Sequence, residues 1–379
     1  MARSKLKGCG CAIAVLVVVL GAAGVVGWKF VWPRWKLRPP PPSGGELQVH
    51  VLDVGPVEGD AILIIAPGGK TVLIDAGDAG KGKAIADALK RYNVQQLDYF
   101  VATHPHPDHI GGADEVFKVT KVLNVIDNGL PPDLPESLLP KNKPATAPGK
   151  KSEKPAPAAK GAKSVTKFYD EYQQAIAQSG AHYEKAQPGA KFDLGEGVRL
   201  TVLGPIEPSF TKDKMKTGGN VTNANSVVMR LDYGDFSLLL PGDAEEQTEH
   251  QMLTKDLNLS VRILKVAHHG SKYATSQDML DRVKPQVAIV SCGEWNRYGH
   301  PSQVVLDRLK AANVKLYRTD LQGEITITTR GRENDFTIKT AKEAKSELWE
   351  GRLAQKDDSS RSGFIAYGDF GPPPKKSGK

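Results

Sequence analysis

Residues Thr103-His104-Pro105-His106-Pro107-Asp108-His109-Ile110-Gly111-Gly112 constrain this chain more than any other stretch. Three histidines and one carboxylate fall within six positions, and two prolines punctuate them. Proline removes a backbone donor and fixes φ, so neither a buried strand nor an ordinary helix accommodates the pattern. The spacing predicts a loop that holds its side chains in fixed directions. An apolar strand, Leu97–Ala102, runs into the loop, and Gly111-Gly112 lets the chain bend tightly on leaving it. A strand delivering imidazoles and a carboxylate into a loop is how a rigid scaffold presents metal ligands. This donor mix suits zinc, iron or manganese.

The chain has 379 residues, of which 40% are hydrophobic, enough for one large domain or two small ones. Its three cysteines, Cys9, Cys11 and Cys292, form neither a disulfide framework nor a zinc-cysteine spacing. The net charge of +8 is unevenly spread. Residues 1–45 hold seven Lys/Arg and no acid, and residues 131–167 hold eight Lys against three acids. The remaining body is therefore net acidic, which argues against a broad basic nucleic-acid surface on it and leaves room for a local patch.

An uncharged run of 18 residues, Cys11 to Trp28, is long enough to cross a bilayer core as a helix. Trp28, Trp32 and Trp35 with Lys29, Arg34, Lys36 and Arg38 follow as an interfacial anchor would. The expectation is a single-pass anchor rather than a cleaved signal peptide, with Pro39 to Gly45 as a stiff spacer. Positive charge on both flanks leaves orientation open; an extracytoplasmic domain is the working expectation.

The body alternates short strands and helices. Strands are expected at 47–54, 61–65, 71–75 and 97–102, with an amphipathic helix over 83–92 before the last of them. Residues 131–163 turn Pro-, Ala- and Lys-rich and read as a low-complexity insertion that builds no core. A helix over 165–179, strands at 191–194, 198–203, 227–231 and 236–240, and a helix over 244–253 follow. Strands at 261–266, 287–291, 314–317 and 324–328 and a helix over 304–311 complete the body. Three domains result: 1–45 anchor and spacer, 46–330 folded body, and 331–379 a polar, flexible tail with one short helix near 341–354.

Several motifs in order carry a family resemblance. They are Leu52-Asp53-Val54-Gly55, Gly59-Asp60-Ala61, Leu73-Ile74-Asp75-Ala76-Gly77, His104-x-His106-x-Asp108-His109, Asn225-Ser226-Val227-Val228, Leu240-Pro241-Gly242-Asp243-Ala244-Glu245, Leu264-Lys265-Val266-Ala267-His268-His269-Gly270-Ser271 and Asn296-Arg297-Tyr298-Gly299-His300-Pro301. Together they resemble the metallo-β-lactamase superfamily, and within it the hydrolase domain of the DNA-uptake competence protein ComEC and its free-standing relatives. The resemblance covers roughly 47–330 apart from the insertion. It implies an α/β fold, a four-layer αβ/βα sandwich, here preceded by the transmembrane helix. The pattern departs at Asp53-Val54-Gly55-Pro56-Val57-Glu58-Gly59-Asp60, two residues longer than usual. The multi-helix channel of ComEC is not expected in this chain. Upstream of Asp243, where the superfamily often carries a ligand histidine, stand Asn220, Asn223 and Asn225.

The resemblance also implies roles. His104, His106 and Asp243 would form one metal subsite, and Asp108, His109, His269 and the shared Asp243 the other. Asp75, which taken alone is a turn aspartate, would buttress a ligand histidine. The first subsite has three protein ligands, supplemented by an asparagine amide oxygen, and so is expected to bind more weakly. Two divalent ions, zinc or manganese, about 3.5–4 Å apart would lower the pKa of a shared water towards roughly 7. Asp108 and His268 are the expected catalytic residues, His268 as donor to the leaving oxygen. Asn225, Ser226, Ser271, Lys272 and His300 are candidate substrate contacts. The expected activity is a phosphodiesterase or nuclease acting on a phosphodiester, DNA included. Hydrolysis of an ester, lactone or thioester is the first alternative and a non-catalytic binding module the second. No protein partner is readable.

Overall fold

The computed structural model describes residues 45–132, 162–215, 220–294 and 298–353. The expected anchor, most of the expected insertion and the chain beyond 353 lie outside them. Among the described residues no helix is long and apolar enough to cross a membrane.

The first half of the chain forms β1 (Leu47–Val51), β2 (Ile62–Ile65), β3 (Thr71–Ile74), α1 (Gly82–Arg91) and β4 (Gln96–Val101). It continues with α2 (Pro107–Ile110), α3 (Ala113–Val119), β5 (Lys121–Asp127), α4 (Ala162–Ser179) and β6 (His182–Lys185). The second half begins with β7 (Lys191–Gly195), β8 (Val198–Gly204), α5 (Val221–Ala224), β9 (Val228–Tyr233) and β10 (Phe236–Leu240). Next come α6 (Glu246–Leu253), β11 (Ile263–Lys265), α7 (Gln277–Val283), β12 (Val287–Val290) and α8 (Gln303–Ala311). The last elements are β13 (Lys315–Arg318), α9 (Thr319–Gln322), β14 (Ile325–Thr329) and β15 (Thr337–Thr340).

The strands form two sheets, one of eight in the order β15-β14-β1-β2-β3-β4-β5-β6 and one of seven in the order β13-β12-β11-β10-β9-β8-β7. Strand residues alternate between two apolar layers. Val49, Ile62, Ile64, Val72, Ile74 and Val101 face Leu200, Leu231, Leu238 and Ile263 of the other sheet. Leu63, Leu73 and Phe100 point the opposite way, onto Ile85 and Leu89 of α1, Val116 of α3 and Tyr172 of α4. On the second sheet Leu239, Leu264, Ala288 and Leu316 face Met252, Leu280, Val305 and Leu309 of α6, α7 and α8. Burial on both faces explains why these strands read as unbroken apolar runs. The result is a mixed α/β sandwich of two sheets with helices on both outer faces.

The parallel strands place the site. β3, β4 and β5 run parallel, as do β10, β11, β12 and β13. Segments leaving the carboxyl ends of parallel strands are where an α/β sheet collects ligands. Here those ends belong to β3, β4, β10, β11 and β12.

The expected boundary at 330 and the flexible tail beyond it are not what the structure displays up to 353. β15 pairs antiparallel with β14. Leu348 and Trp349 pack on the outer helical layer. The buried Arg318 guanidinium donates to Leu348 O (2.8 Å) and Glu350 O (2.6 Å) and pairs with Asp320 (2.8 Å). Residues 341–353 form no helix. They are held because a buried guanidinium needs acceptors, which the chain beyond 330 supplies. Removing residues 331–379 is therefore expected to lower stability by at least ~3 kcal/mol, since the guanidinium loses acceptors and stays buried. Urea unfolding of the full and shortened chains with equal midpoints would refute this.

Candidate metal centre

Thr103, just past β4, is the seam between the sheets. Its carbonyl accepts from Val227 N at 2.8 Å, which ties it to the start of β9. Gly242, just past β10, has φ +56, and a Cβ there would come within 2.9 Å of Thr103 Cβ. Only glycine lets the two strand ends approach this closely. Asp243 is thereby carried against the histidine stretch.

That stretch is not the pure loop its prolines suggest. His106 is extended (φ −82°, ψ 149°), and Pro107 opens the one-turn helix α2. Proline suits the first helical position because its missing N–H is unused there. The turn places Asp108 and His109 beside Asp243. Beyond β11, His268 (φ 47°) and His269 (φ 53°) both take left-handed backbone, as does Asp75 (φ 60°) after β3. Each such residue costs about 1–3 kcal/mol, and such strain gathers at functional sites.

The ligand atoms converge. Asp108, His109, Asp243 and His269 each offer an atom within 4.8 Å of the others. His109 Nε2 lies 3.3 Å from Asp243 Oδ2 and 3.9 Å from Asp108 Oδ2. His269 Nε2 lies 3.5 Å from Asp243 Oδ1 and 3.6 Å from Asp108 Oδ2. The tautomers are set from behind. His109 Nδ1 meets Asp75 Oδ2 at 2.8 Å, and His269 Nδ1 meets the Ser291 carbonyl at 2.9 Å. Each Nε2 is thus turned towards the carboxylates. His104 Nε2 stands 2.9 Å from His106 Nδ1 and 3.8 Å from Asp243 Oδ2, the oxygen that also faces His109.

The other anticipated residues have varied placements. His268 is 3.8 Å from Asp243 Oδ2 through Nε2 and 3.7 Å from Glu245 Oε1 through Nδ1. His300 lines the small cavity over the centre, with Nδ1 2.8 Å from the buried Glu58. Asn225 is fully buried and hydrogen-bonds to the backbone of Phe210 and Val221. Ser226 Oγ accepts from Asp243 N at 3.2 Å. Ser271 is buried and accepts from Tyr273 N at 3.4 Å. Lys272 is exposed, its ammonium 4.9 Å from the Tyr273 ring centre. None of these last four residues lines the cavity.

Asp60 and Lys265 were not anticipated as site residues. They form a buried ion pair under the centre, with Asp60 Oδ1 3.5 Å from His269 Nδ1. A lysine inside the apolar run Val261–Val266 was the available signal, because a buried ammonium demands a counter-charge. Glu58, carried by the two-residue lengthening after Gly55, was also passed over.

A family model for the metallo-β-lactamase superfamily matches residues 54–171. ComE operon protein 3 of Bacillus subtilis is 27% identical over 316 residues, 79% of this chain and 35% of the relative. Recombination protein 2 of Haemophilus influenzae is 27% identical over 285 residues, 74% of this chain and 28% of the relative. Competence protein ComA of Neisseria gonorrhoeae is 27% identical over 290 residues, 76% and 33% respectively. Over residues 54–171 the chain is similar to the metallo-β-lactamase superfamily, and the competence and recombination relatives agree with that resemblance. The chain spans about a third of the length of these curated relatives.

The donor set of the centre fits a divalent cation. His109 Nε2, His269 Nε2 and Asp243 Oδ1 are buried with no hydrogen-bond partner among the described residues. Unpaired buried polar atoms are costly, and three meeting at one point fit a bound cation. Imidazole with carboxylate suits zinc, iron or manganese.

Charge divides the histidines into two sets. Burial holds His104 well below the usual value, helped by His109 and His106, and brings His106 down to about 4. Burial likewise brings His268 down to about 3. His109 and His269 go the other way. Burial opposes their charge, but Asp243 together with Asp75 and Asp108 (for His109) or Asp60 (for His269) overrides it and raises both well above the usual histidine value. Both shifts favour the protonated imidazole, which competes with a cation for Nε2.

Two expectations follow. Since the carboxylates around His109 and His269 raise both above the usual histidine value, metal competes with protons for them, so uptake should release protons and affinity should weaken as pH falls. Calorimetry in buffers of different ionisation enthalpy reads this directly, and zero proton release would contradict it. Lys265→Met should destabilise the protein by about 3–5 kcal/mol by stranding Asp60, while the double change Asp60→Asn/Lys265→Met should recover most of the loss. Equal unfolding midpoints for single and double variants would show that the pair is not what matters.

Proposed function

We propose that this chain is a metal-dependent phosphodiesterase whose substrate class includes DNA. The observation that carries the proposal is the convergence of His109 Nε2, His269 Nε2 and Asp243 Oδ1, buried and unpartnered, with Asp108 beside them. A divalent ion bound there supplies a Lewis acid and lowers the pKa of bound water.

The protein's own groups account for the rest. Asp108 is the most open of the four clustered residues, its side chain 27% exposed while those of His109, His269 and Asp243 are at most 2% exposed. It is the carboxylate of the cluster that an incoming water meets first. His268 is neutral at physiological pH and serves as a hydrogen-bonding wall of the cavity rather than a proton store. Asp75 and the Ser291 carbonyl keep the ligand imidazoles from rotating, so the donors need no rearrangement when substrate arrives. Relatives named for competence and recombination support a nucleic-acid phosphodiester over a carboxylic ester.

The test uses the full 379-residue chain loaded with zinc or manganese, assayed on bis(p-nitrophenyl) phosphate, single-stranded DNA and a lactone. Phosphodiester cleavage is expected, and Asp243→Asn should reduce it by several kcal/mol, roughly a thousandfold. Lactone cleavage without phosphodiester cleavage would reject the substrate class. No turnover of any of the three would reject the enzyme reading in favour of a binding module.

A further inference from the structure

Three asparagines surround α5, and two of them are fully explained by the backbone around them. Asn220 caps the helix, its Oδ1 accepting from Thr222 N (2.9 Å) and Asn223 N (3.2 Å). Asn225 Oδ1 accepts from Phe210 N at 2.8 Å, and its Nδ2 donates to Phe210 O and Val221 O, both at 2.9 Å.

Asn223 is different. It is 3% exposed and lines the cavity together with His106, Asp243 and His268. Its Nδ2 donates to Glu245 Oε1 at 3.1 Å and faces His268 Nε2 at 3.3 Å. Its Oδ1 has no hydrogen-bond partner among the described residues. The orientation of the amide is determined, because turning it over would set the carbonyl oxygen against the Glu245 carboxylate. A buried acceptor left unsatisfied is costly.

What could satisfy it is narrow. A phosphate oxygen is itself an acceptor and gains nothing from a carbonyl. A cation gains directly, and the surroundings suit one. His106 shares the cavity with Asn223, and His104 Nε2 and His106 Nδ1 are turned towards each other at 2.9 Å beside Asp243.

We propose that Asn223 Oδ1 is a neutral oxygen ligand for a divalent cation bound on the His104–His106 side of Asp243. The inference rests on the metal-centre reading and is independent of which bond the enzyme cleaves. It makes the two sides of Asp243 unequal. One side has two carboxylates, Asp108 and Asp243, whereas the other has only the shared Asp243. Cation affinity follows ligand charge, so the Asn223 side holds its ion more weakly. A carbonyl oxygen also moves its preference towards manganese.

The experiment titrates manganese into the chelator-stripped full-length chain, with free ion followed by electron paramagnetic resonance and folding checked by thermal melts of the metal-free forms. Wild type should take up two equivalents in two resolved steps. Asn223→Ala should weaken the second step at least tenfold and leave the first unchanged. Asn223→Asp keeps an oxygen at the same place but loses the amide donor to Glu245, and it should retain or tighten the second step. If Asn223 served only to hold Glu245 and His268 through its N–H groups, both variants would lose binding alike, and the proposal falls. It also falls if Asn223→Ala binds as wild type does, whether wild type takes one equivalent or two. Neither result touches the phosphodiester assay, so the two readings fail separately.

Discussion

The centre depends on a carboxylate that offers it no ligand. Asp75 accepts from Thr103 N at 2.7 Å, from Thr103 Oγ1 at 2.8 Å, and meets His109 Nδ1 at 2.8 Å. Those three contacts join the end of β3 to the end of β4 and to the one-turn helix beyond. They also decide which nitrogen of His109 faces the cavity. Thr103 in turn meets Val227 and Gly242 of the second sheet, so the clamp on Asp75 becomes the seam that brings Asp243 opposite the histidines. Burial pushes Asp75 towards neutrality, and the contacts with His109 and Thr103 work against that push. A neutral side chain of the same shape would keep the packing and lose the grip on the imidazole.

Around that clamp the molecule concentrates buried charge in a way no ordinary core permits. Asp60, Asp75 and Asp243 are each at most 2% exposed, and Asp108 stands over them. In the metal-free protein the compensating charges are the Lys265 ammonium and the protons on His109 and His269. Cation binding then exchanges protons for an ion of higher charge, with the carboxylates already in place. Lys265 cannot be exchanged in this way. Its pair with Asp60 supplies a permanent positive charge below the ligands, which keeps Asp60 ionised against a burial penalty that would otherwise neutralise it. A buried pair is weak support for stability as such; here it fixes the charge state of the floor of the site.

Much of this was legible in the sequence, and the parts that were not share a physical cause. Strands buried on both faces, such as 62–65 and 236–240, are apolar runs that can be read directly. β6 (His-Tyr-Glu-Lys) and β15 (Thr-Ile-Lys-Thr) are polar edge strands without a buried face on each side, so no periodicity announces them. The histidine stretch was legible because its composition has no structural use, although its prolines disguised a helical first turn as a loop. Asn225 and Ser226 looked like contacts because they are polar beside a strand, yet both are consumed by local backbone, the first by Phe210 and Val221 and the second by Asp243 N. Lys265, Asp60 and Glu58 escaped for the opposite reason. Each acquires meaning only from a partner brought near by the fold, as Glu58 does from His300, and no local pattern encodes such a meeting.

The turn after β11 shows why two adjacent histidines can serve different ends. Consecutive left-handed residues at His268 and His269 send the two rings in divergent directions, with centroids 6.2 Å apart. His269 points to Asp243 and Asp108 and acquires a proton or an ion. His268 points to Glu245 and Asn223, and burial strips it of charge. A regular strand would also have separated the rings, but onto opposite faces of the sheet, and one would have left the cavity. The strained turn keeps both at the rim, and Gly270 at φ +87, with a position for Cβ only 2.6 Å from Pro301, completes the reversal. The strain is therefore the means by which one strand end supplies both a ligand and a neutral wall to the same site.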